Sequence, residues 1–286
     1  MICPMDTPQR NELDALMRLL DDDDAVVSRC VDERLRSFGP GIVSRLIEAH
    51  AYEKAETINA GFRLEELERL PTDGEGPVSL FEASFLICSI ADCGLSRSRY
   101  EDLFFKCTSE YQREASDART AFENINVFNH IFYERLGFTL YDMILEKREY
   151  ALVSDALSGR KCNPVVLVFI YIMMARTCGL PLVPLCFPGG AVPVYMENGK
   201  ELFYVNVFRK GEIFYRHNLG ASLKFIGGAL GNFEFKVRDE RALLSIYLES
   251  LQIVFSRHGE RMICSSLNSA LSLLGPERFL TLEEDE

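Results

Sequence analysis

Residues 158–195 read SGRKCNPVVLVFIYIMMARTCGLPLVPLCFPGGAVPVY. An apolar run, Val165 to Ala175, is bounded by Asn163-Pro164 before it and Cys178-Gly179 after it. Proline suits the first turn of a helix, where its missing N–H has no intrahelical partner to lose, and glycine suits the position just past a helix end. The pattern predicts a short helix over 150–161, a Cys162-Asn163 loop and a long buried helix over 164–178. Beyond Gly179-Leu180-Pro181 the periodicity changes. VPLCF (183–187), AVPVYM (191–196) and LFYVNVF (202–208) are short β-branched and aromatic runs, separated by PGG (188–190) and ENGKE (197–201). Those separators are hairpin signals, so the helix is expected to lead into an antiparallel meander.

The flanks on both sides read as helical. VSLFEASFLICSIAD (78–92), RYEDLFFKCTSEYQREA (99–115) and AFENINVFNHIFYERLGF (121–138) carry apolar residues at helical spacing, and Gly137 ends the last of them. PTDGEGPV (71–78) is a turn-rich break and the expected domain boundary. Before it, Thr7-Pro8 opens a helix whose apolar face is Leu13, Leu16, Leu19 and Leu20. Asp21–Asp24 reads as an acidic turn whose last residue caps the next helix. That helix sets Val27, Cys30, Val31 and Leu35 on one side and stops at Gly39-Pro40; a third carries Ile42, Val43, Leu46 and Ile47. The arrangement fits one unit of an α-solenoid or an ordinary helical cap. After Gly220 comes GGALGN (227–232), which lacks the GxGxxG spacing of a phosphate cradle. Two helices over 239–257 and 260–274 close the fold, followed by an acidic tail, LEEDE.

Composition narrows the function classes. The chain has 286 residues, 48% hydrophobic, with 31 basic and 43 acidic residues and a net charge of −12. An acidic surface repels phosphate backbones, so no nucleic-acid partner is expected. Val165–Ala175 is too short to span a bilayer and stops at Arg176, and the N-terminus lacks the order of a secretory signal, so no membrane association is expected. Nine cysteines, an odd number without a CxxC pair, suit a reducing cytoplasm. Four scattered histidines and the absence of paired thiols argue against a metal site, and nothing calls for a cofactor.

Five segments in order resemble a known family. FNHIFYERLGF (128–138), LSGRKCNPVVL (157–167), ARTCGL (175–180), PGGA (188–191) and NVF (206–208) are similar to motifs of the transglutaminase-like SirB family, a branch of the papain- and transglutaminase-like superfamily. The resemblance implies a mostly helical α+β protein whose core is a buried helix followed by an antiparallel meander. It implies three parts: a HEAT-like helical leader (1–75), a transglutaminase-like domain (76–220) and a tetratricopeptide-like helical tail (221–286).

The same resemblance shows what chemistry is missing. A transglutaminase-type site needs a cysteine at the helix start, where free N–H groups stabilise a thiolate and an oxyanion. It needs a histidine on a neighbouring strand to move the proton, and an Asp or Asn on the next strand to hold that histidine. Here the helix starts Pro164-Val165-Val166, the histidine position is Gly190, and only the orienting position, Asn206, keeps a suitable group. Each loss alone costs several orders of magnitude in rate. The expectation is a protein without transglutaminase or protease activity. Its hollow, lined by Cys162, Asn163, Pro164, Gly189, Gly190 and Asn206, would grip a peptide or partner protein. Two alternatives stand beside it. One is an active cysteine hydrolase or acyltransferase using Cys162, whose pKa Arg160 and Lys161 would lower, with His217 or His130 as base. The other is a helical interaction scaffold. Cys162 otherwise reads as a loop or packing cysteine, and His130 as a hydrogen-bonded core residue.

Overall fold

Capping side chains open six of the α-helices in the computed structural model, which describes residues 7–20, 22, 24–71, 78–116, 118–141, 145–188, 190–220, 236–275 and 279. The leader comprises α1 (Thr7–Arg18), α2 (Ala25–Ser37), α3 (Ile42–Glu48) and α4 (Tyr52–Glu68). Asp24 caps α2 as expected, accepting the Val26 and Val27 N–H groups at 2.7 and 3.3 Å; Asp21 and Asp23 lie outside the described residues. Val31 and Leu35 are buried, but Cys30 is exposed rather than on the apolar side. It sits one residue round from the i, i+4, i+8 stripe of Val27, Val31 and Leu35. These helices close a small core of their own, around Leu13, Leu35, Ile42, Leu46 and Ile58.

Ser79 caps α5 (Leu80–Ala91), and Ser96 caps α6 (Arg97–Gln112). Thr120 and Glu123 form a reciprocal capping box on α7 (Ala121–Asn129). The expected single helix over 121–138 instead widens after Asn129 into a π-turn, His130–Arg135. A two-residue strand β1 (Thr139–Leu140) follows, then α8 (Val153–Gly159) and a second short strand β2 (Lys161–Cys162). β1 and β2 pair in parallel, Leu140 opposite Cys162, so Cys162 lies in a strand and not in the expected loop.

The long helix α9 (Pro164–Thr177) falls where Asn163-Pro164 and Gly179 place it, and every residue from Val165 to Ala175 is buried. Each fully buried Val, Leu, Ile, Phe or Met stabilises by about 1.5–3 kcal/mol relative to exposure. Gly179, at φ +81°, takes the left-handed turn that ends the helix. The chain then forms β3 (Leu182–Phe187), β4 (Gly190–Glu197), β5 (Lys200–Asn206), β6 (Glu212–Phe214) and β7 (Lys236–Val237). All neighbours are antiparallel, in the order β6-β5-β4-β3-β7, so the expected meander is present. Alternation sorts its side chains by face. Leu182, Cys186, Ala191, Tyr195, Phe203 and Val205 join the main core with α9. Leu185, Phe187, Val192, Val194 and Tyr204 form a second cluster with Phe214 and Leu219. Two apolar faces explain why these strands read as nearly continuous hydrophobic runs.

Two long helices, α10 (Glu240–Arg257) and α11 (Arg261–Leu274), complete the described fold. Leu244, Leu248, Leu251 and Leu267 pack into the same core as α5 and α9. Among the described residues no helix is long and apolar enough to cross a membrane. GGALGN at 227–232 lies outside them.

Candidate functional site

The start of α9 is built by one dipeptide. A residue before proline is pushed into extended backbone, and Asn163 sits at φ −73°, ψ 169°, the conformation of an N-cap. Its Oδ1 accepts the Val166 N–H at 2.8 Å. Its carbonyl accepts the Leu167 N–H at 3.0 Å, and its own N–H donates to the Tyr150 carbonyl at 3.0 Å. The residue is buried, and its Nδ2 has no hydrogen-bond partner. Pro164, partly exposed, occupies the first helical position.

Cys162 is fully buried, and its carbonyl accepts the Tyr141 N–H at 2.9 Å. Burial pushes its thiol up to about 12, against the weaker opposing pull of the Arg160 charge. The lowered pKa expected from Arg160 and Lys161 is therefore overturned. The Arg160 guanidinium is turned elsewhere: it donates to Cys107 Sγ at 2.8 Å and lies 4.8 Å from the centre of the Phe138 ring. A thiol at about 12 supplies almost no thiolate at neutral pH.

The two strand positions are equally without catalytic geometry. Gly190, buried, opens β4 opposite Phe187; a Cβ there would meet only the Phe187 ring at 3.7 Å, an ordinary contact. The position has room for a Cβ. Asn206 ends β5 and spends its side chain on its own corner, Oδ1 accepting the Phe208 N–H at 3.1 Å. Gly189 lies outside the described residues. The short link from α9 to β3 reverses the chain, and each hairpin reverses it again. The start of α9, the end of β3, the start of β4 and the end of β5 therefore share one end of the helix–sheet pair. Asn163, Pro164, Gly190 and Asn206 belong to that end.

No histidine serves Cys162. His217 is exposed on a short turn and stacks on Tyr215, ring centres 6.0 Å apart. His130, expected in the core, is exposed at the start of the π-turn, because it lies two residues from both Phe128 and Phe132 and so faces away from the stripe they form. His50 contacts the Tyr52 hydroxyl at 3.1 Å, and His258 Nε2 lies 2.9 Å from the Glu146 carbonyl. Among the described residues no group of His, Cys, Asp and Glu is arranged to hold a metal ion.

Sequence reading missed what supports this end of the sheet. The Tyr171 hydroxyl, on α9, donates to Asn129 Oδ1 at 2.6 Å. Asn129 Nδ2 donates to the Gly211 carbonyl at 2.9 Å, and the Gly211 N–H closes the corner onto the Asn206 carbonyl at 3.0 Å. The Tyr133 hydroxyl donates to the Val207 carbonyl at 2.8 Å. Burial pushes the phenols of Tyr133 and Tyr171 well up. A signal was present: a tyrosine inside VLVFIYIMM needs a partner for its hydroxyl. The hydrogen bonds from Tyr171 through Asn129 to Gly211 hold this corner in place.

Compared with known proteins, residues 99–245 match the family model described as the transglutaminase-like superfamily, just over half of the chain. No curated protein and no solved structure matches.

Proposed function

This chain belongs to the transglutaminase-like superfamily, and we propose that in it the fold is a binding module, catalytically inert as a transglutaminase or protease. Its pattern resembles that of the SirB branch, on the ordered motifs from FNHIFYERLGF to NVF. One observation carries the reading: the one cysteine next to the helix start, Cys162, is wholly buried in a strand with its thiol pushed up to about 12. The site-end residues Asn163, Pro164, Gly190 and Asn206 form the cleft that takes a peptide or a partner protein. The division is a HEAT-like leader (1–75), whose separate core supports it, a transglutaminase-like domain (76–220) and a tetratricopeptide-like tail (221–286). The protein works in the cytoplasm, where its thiols stay reduced.

The test is mass-mapped alkylation of the native protein with iodoacetamide between about pH 6 and pH 9, the span in which an ordinary thiol near 8.5 becomes reactive. Exposed Cys30 is expected to react without denaturant and to serve as the internal standard. Cys162 is expected to stay unmodified until denaturant is added. Selective modification of Cys162 at low pH, together with an amidase activity lost in Cys162→Ala, would overturn the reading in favour of a cysteine hydrolase.

A further inference from the structure

This step rests on the cleft reading above and names the kind of peptide side chain the cleft selects. Two tyrosines flank the dipeptide that precedes α9. The Tyr141 N–H donates to the Cys162 carbonyl at 2.9 Å, and the Asn163 N–H donates to the Tyr150 carbonyl at 3.0 Å. Both backbones are thus pinned beside the site-end residues Asn163 and Pro164. Their rings stack, centres 4.0 Å apart and 28° from parallel. Tyr150 is half-buried, whereas Tyr141 is 41% exposed. The stack therefore has an inner ring and an outer ring, and the outer one is open to solvent. Exposed Lys147 is fixed to the same pair. Its carbonyl accepts the Tyr150 N–H at 3.2 Å, and its Nζ donates to the Tyr141 hydroxyl at 2.6 Å. Nζ lies 4.6 Å from the Tyr141 ring centre. It is nearer the hydroxyl than the middle of the ring, so the ammonium stands at the rim and leaves the centre uncovered. An ammonium has three N–H donors, and the tyrosine takes one. The neighbouring charges are engaged elsewhere. Arg148 pairs with Glu260 at 3.4 Å and lies over the Phe255 ring, and Glu146 faces Arg257 at 3.7 Å. Among the described residues Lys147 forms no ion pair, and Glu149 acts on it only through space. A net charge of −12 makes most of the surface unwelcoming to an anion, but the stretch 145–163 carries four basic and three acidic residues.

We propose that Tyr141, Tyr150 and Lys147 form the selective side wall of the cleft and take an acidic side chain of the bound peptide. The methylene stem of that side chain lies on the outer face of Tyr141, and its carboxylate accepts a charge-assisted hydrogen bond from Lys147 Nζ. The 4.6 Å between ring centre and ammonium suits this division. A carboxylate oxygen about 2.8 Å from Nζ leaves the stem carbons over the ring.

The experiment is 13C–1H spectroscopy of the tyrosine rings in the full chain, titrated separately with N-acetylglutamate N-methylamide and with its glutamine counterpart. The two probes share a shape and differ in charge. Tyr141→Leu assigns the Tyr141 signals. Lys147→Met is the comparison: the residue is exposed, so the variant folds, and it keeps the stem while losing the ammonium. The expected result is saturable movement of the Tyr141 signals, with the glutamate probe bound at least about threefold more tightly than the glutamine probe, the size of one exposed ion pair. That preference is expected to disappear in Lys147→Met. Tyr141 signals that stay still up to about 100 mM of the glutamate probe, well past the millimolar range suited to such small ligands, would overturn the wall. So would equal affinity for the two probes, or a preference that survives in Lys147→Met. None of these results bears on Cys162, so the inert reading keeps its own test, the alkylation.

Discussion

At Gly211 the backbone runs at φ +78°, and a Cβ there would fall inside the side-chain amide of Asn129. One hydrogen in place of a methyl lets Asn129 reach both the Gly211 carbonyl and the Tyr171 hydroxyl, and so ties α9 to the corner that carries Asn206. Gly199 is the control: its φ is +75°, but nothing lies within 4 Å of its absent Cβ. Gly199→Ala therefore meets only the left-handed backbone penalty, about 1 kcal/mol. Gly211→Ala adds the loss of the Asn129 contacts with buried groups left unpaired, for a total of about 3 kcal/mol or more. Urea unfolding of the two variants separates the effects. Equal losses would mean that the close approach at Asn129 is not what the glycine serves.

Among the elements, α9 was the most legible and the pieces around it the least. Asn163-Pro164 and Gly179 act on their own local backbone, so both ends of α9 could be placed without knowing the fold. The strands of the meander were legible for the same reason, through their turns. The pair β1–β2 was not, because two residues of parallel pairing depend on segments brought together from 139–140 and 161–162. The π-turn after α7 was not, because FNHIFYER has ordinary helical spacing and only tertiary packing widens it. Of the site, the Asn163 cap at the start of α9 could be read directly, whereas the burial of Cys162 and the Tyr171–Asn129–Gly211 chain required coordinates. The cap of α9 gives a prediction at this scale. Asn163→Ala is expected to cost about 1 kcal/mol in urea unfolding, and Asn163→Ser to recover most of it, since a serine oxygen caps as well. Both variants delete Nδ2, so their difference isolates the cap. If serine is no better than alanine, α9 is held by its burial alone.

Across the whole molecule, the main core stores its reactive groups in their protonated forms. Cys88, Cys107 and Cys162 are each 0% exposed, and burial raises all three thiols, Cys162 to about 12. The phenols of Tyr100, Tyr133, Tyr171 and Tyr247 are raised by burial as well. These residues sit on α5, α6, the π-turn, β2, α9 and α10, so the effect belongs to the packed unit and not to one element. The sign follows from which state holds more protons. Below about pH 8 a cysteine is protonated both folded and unfolded, and stability does not depend on it. Above about 8.5 the unfolded thiol loses its proton while the folded one keeps it, so stability falls as pH rises. The slope is at most about 1.4 kcal/mol per pH unit for each buried thiol, and it persists up to that thiol's folded value. Above about 10 the tyrosines add to it in the same direction. Urea unfolding at a series of pH values from about 7 to 10.5 is therefore expected to show a plateau followed by a steep alkaline loss. In Cys162→Ala the descent should be shallower by one thiol's share. Stability that stays level through pH 10 would mean these thiols titrate alike in both states, which is incompatible with a core that encloses them.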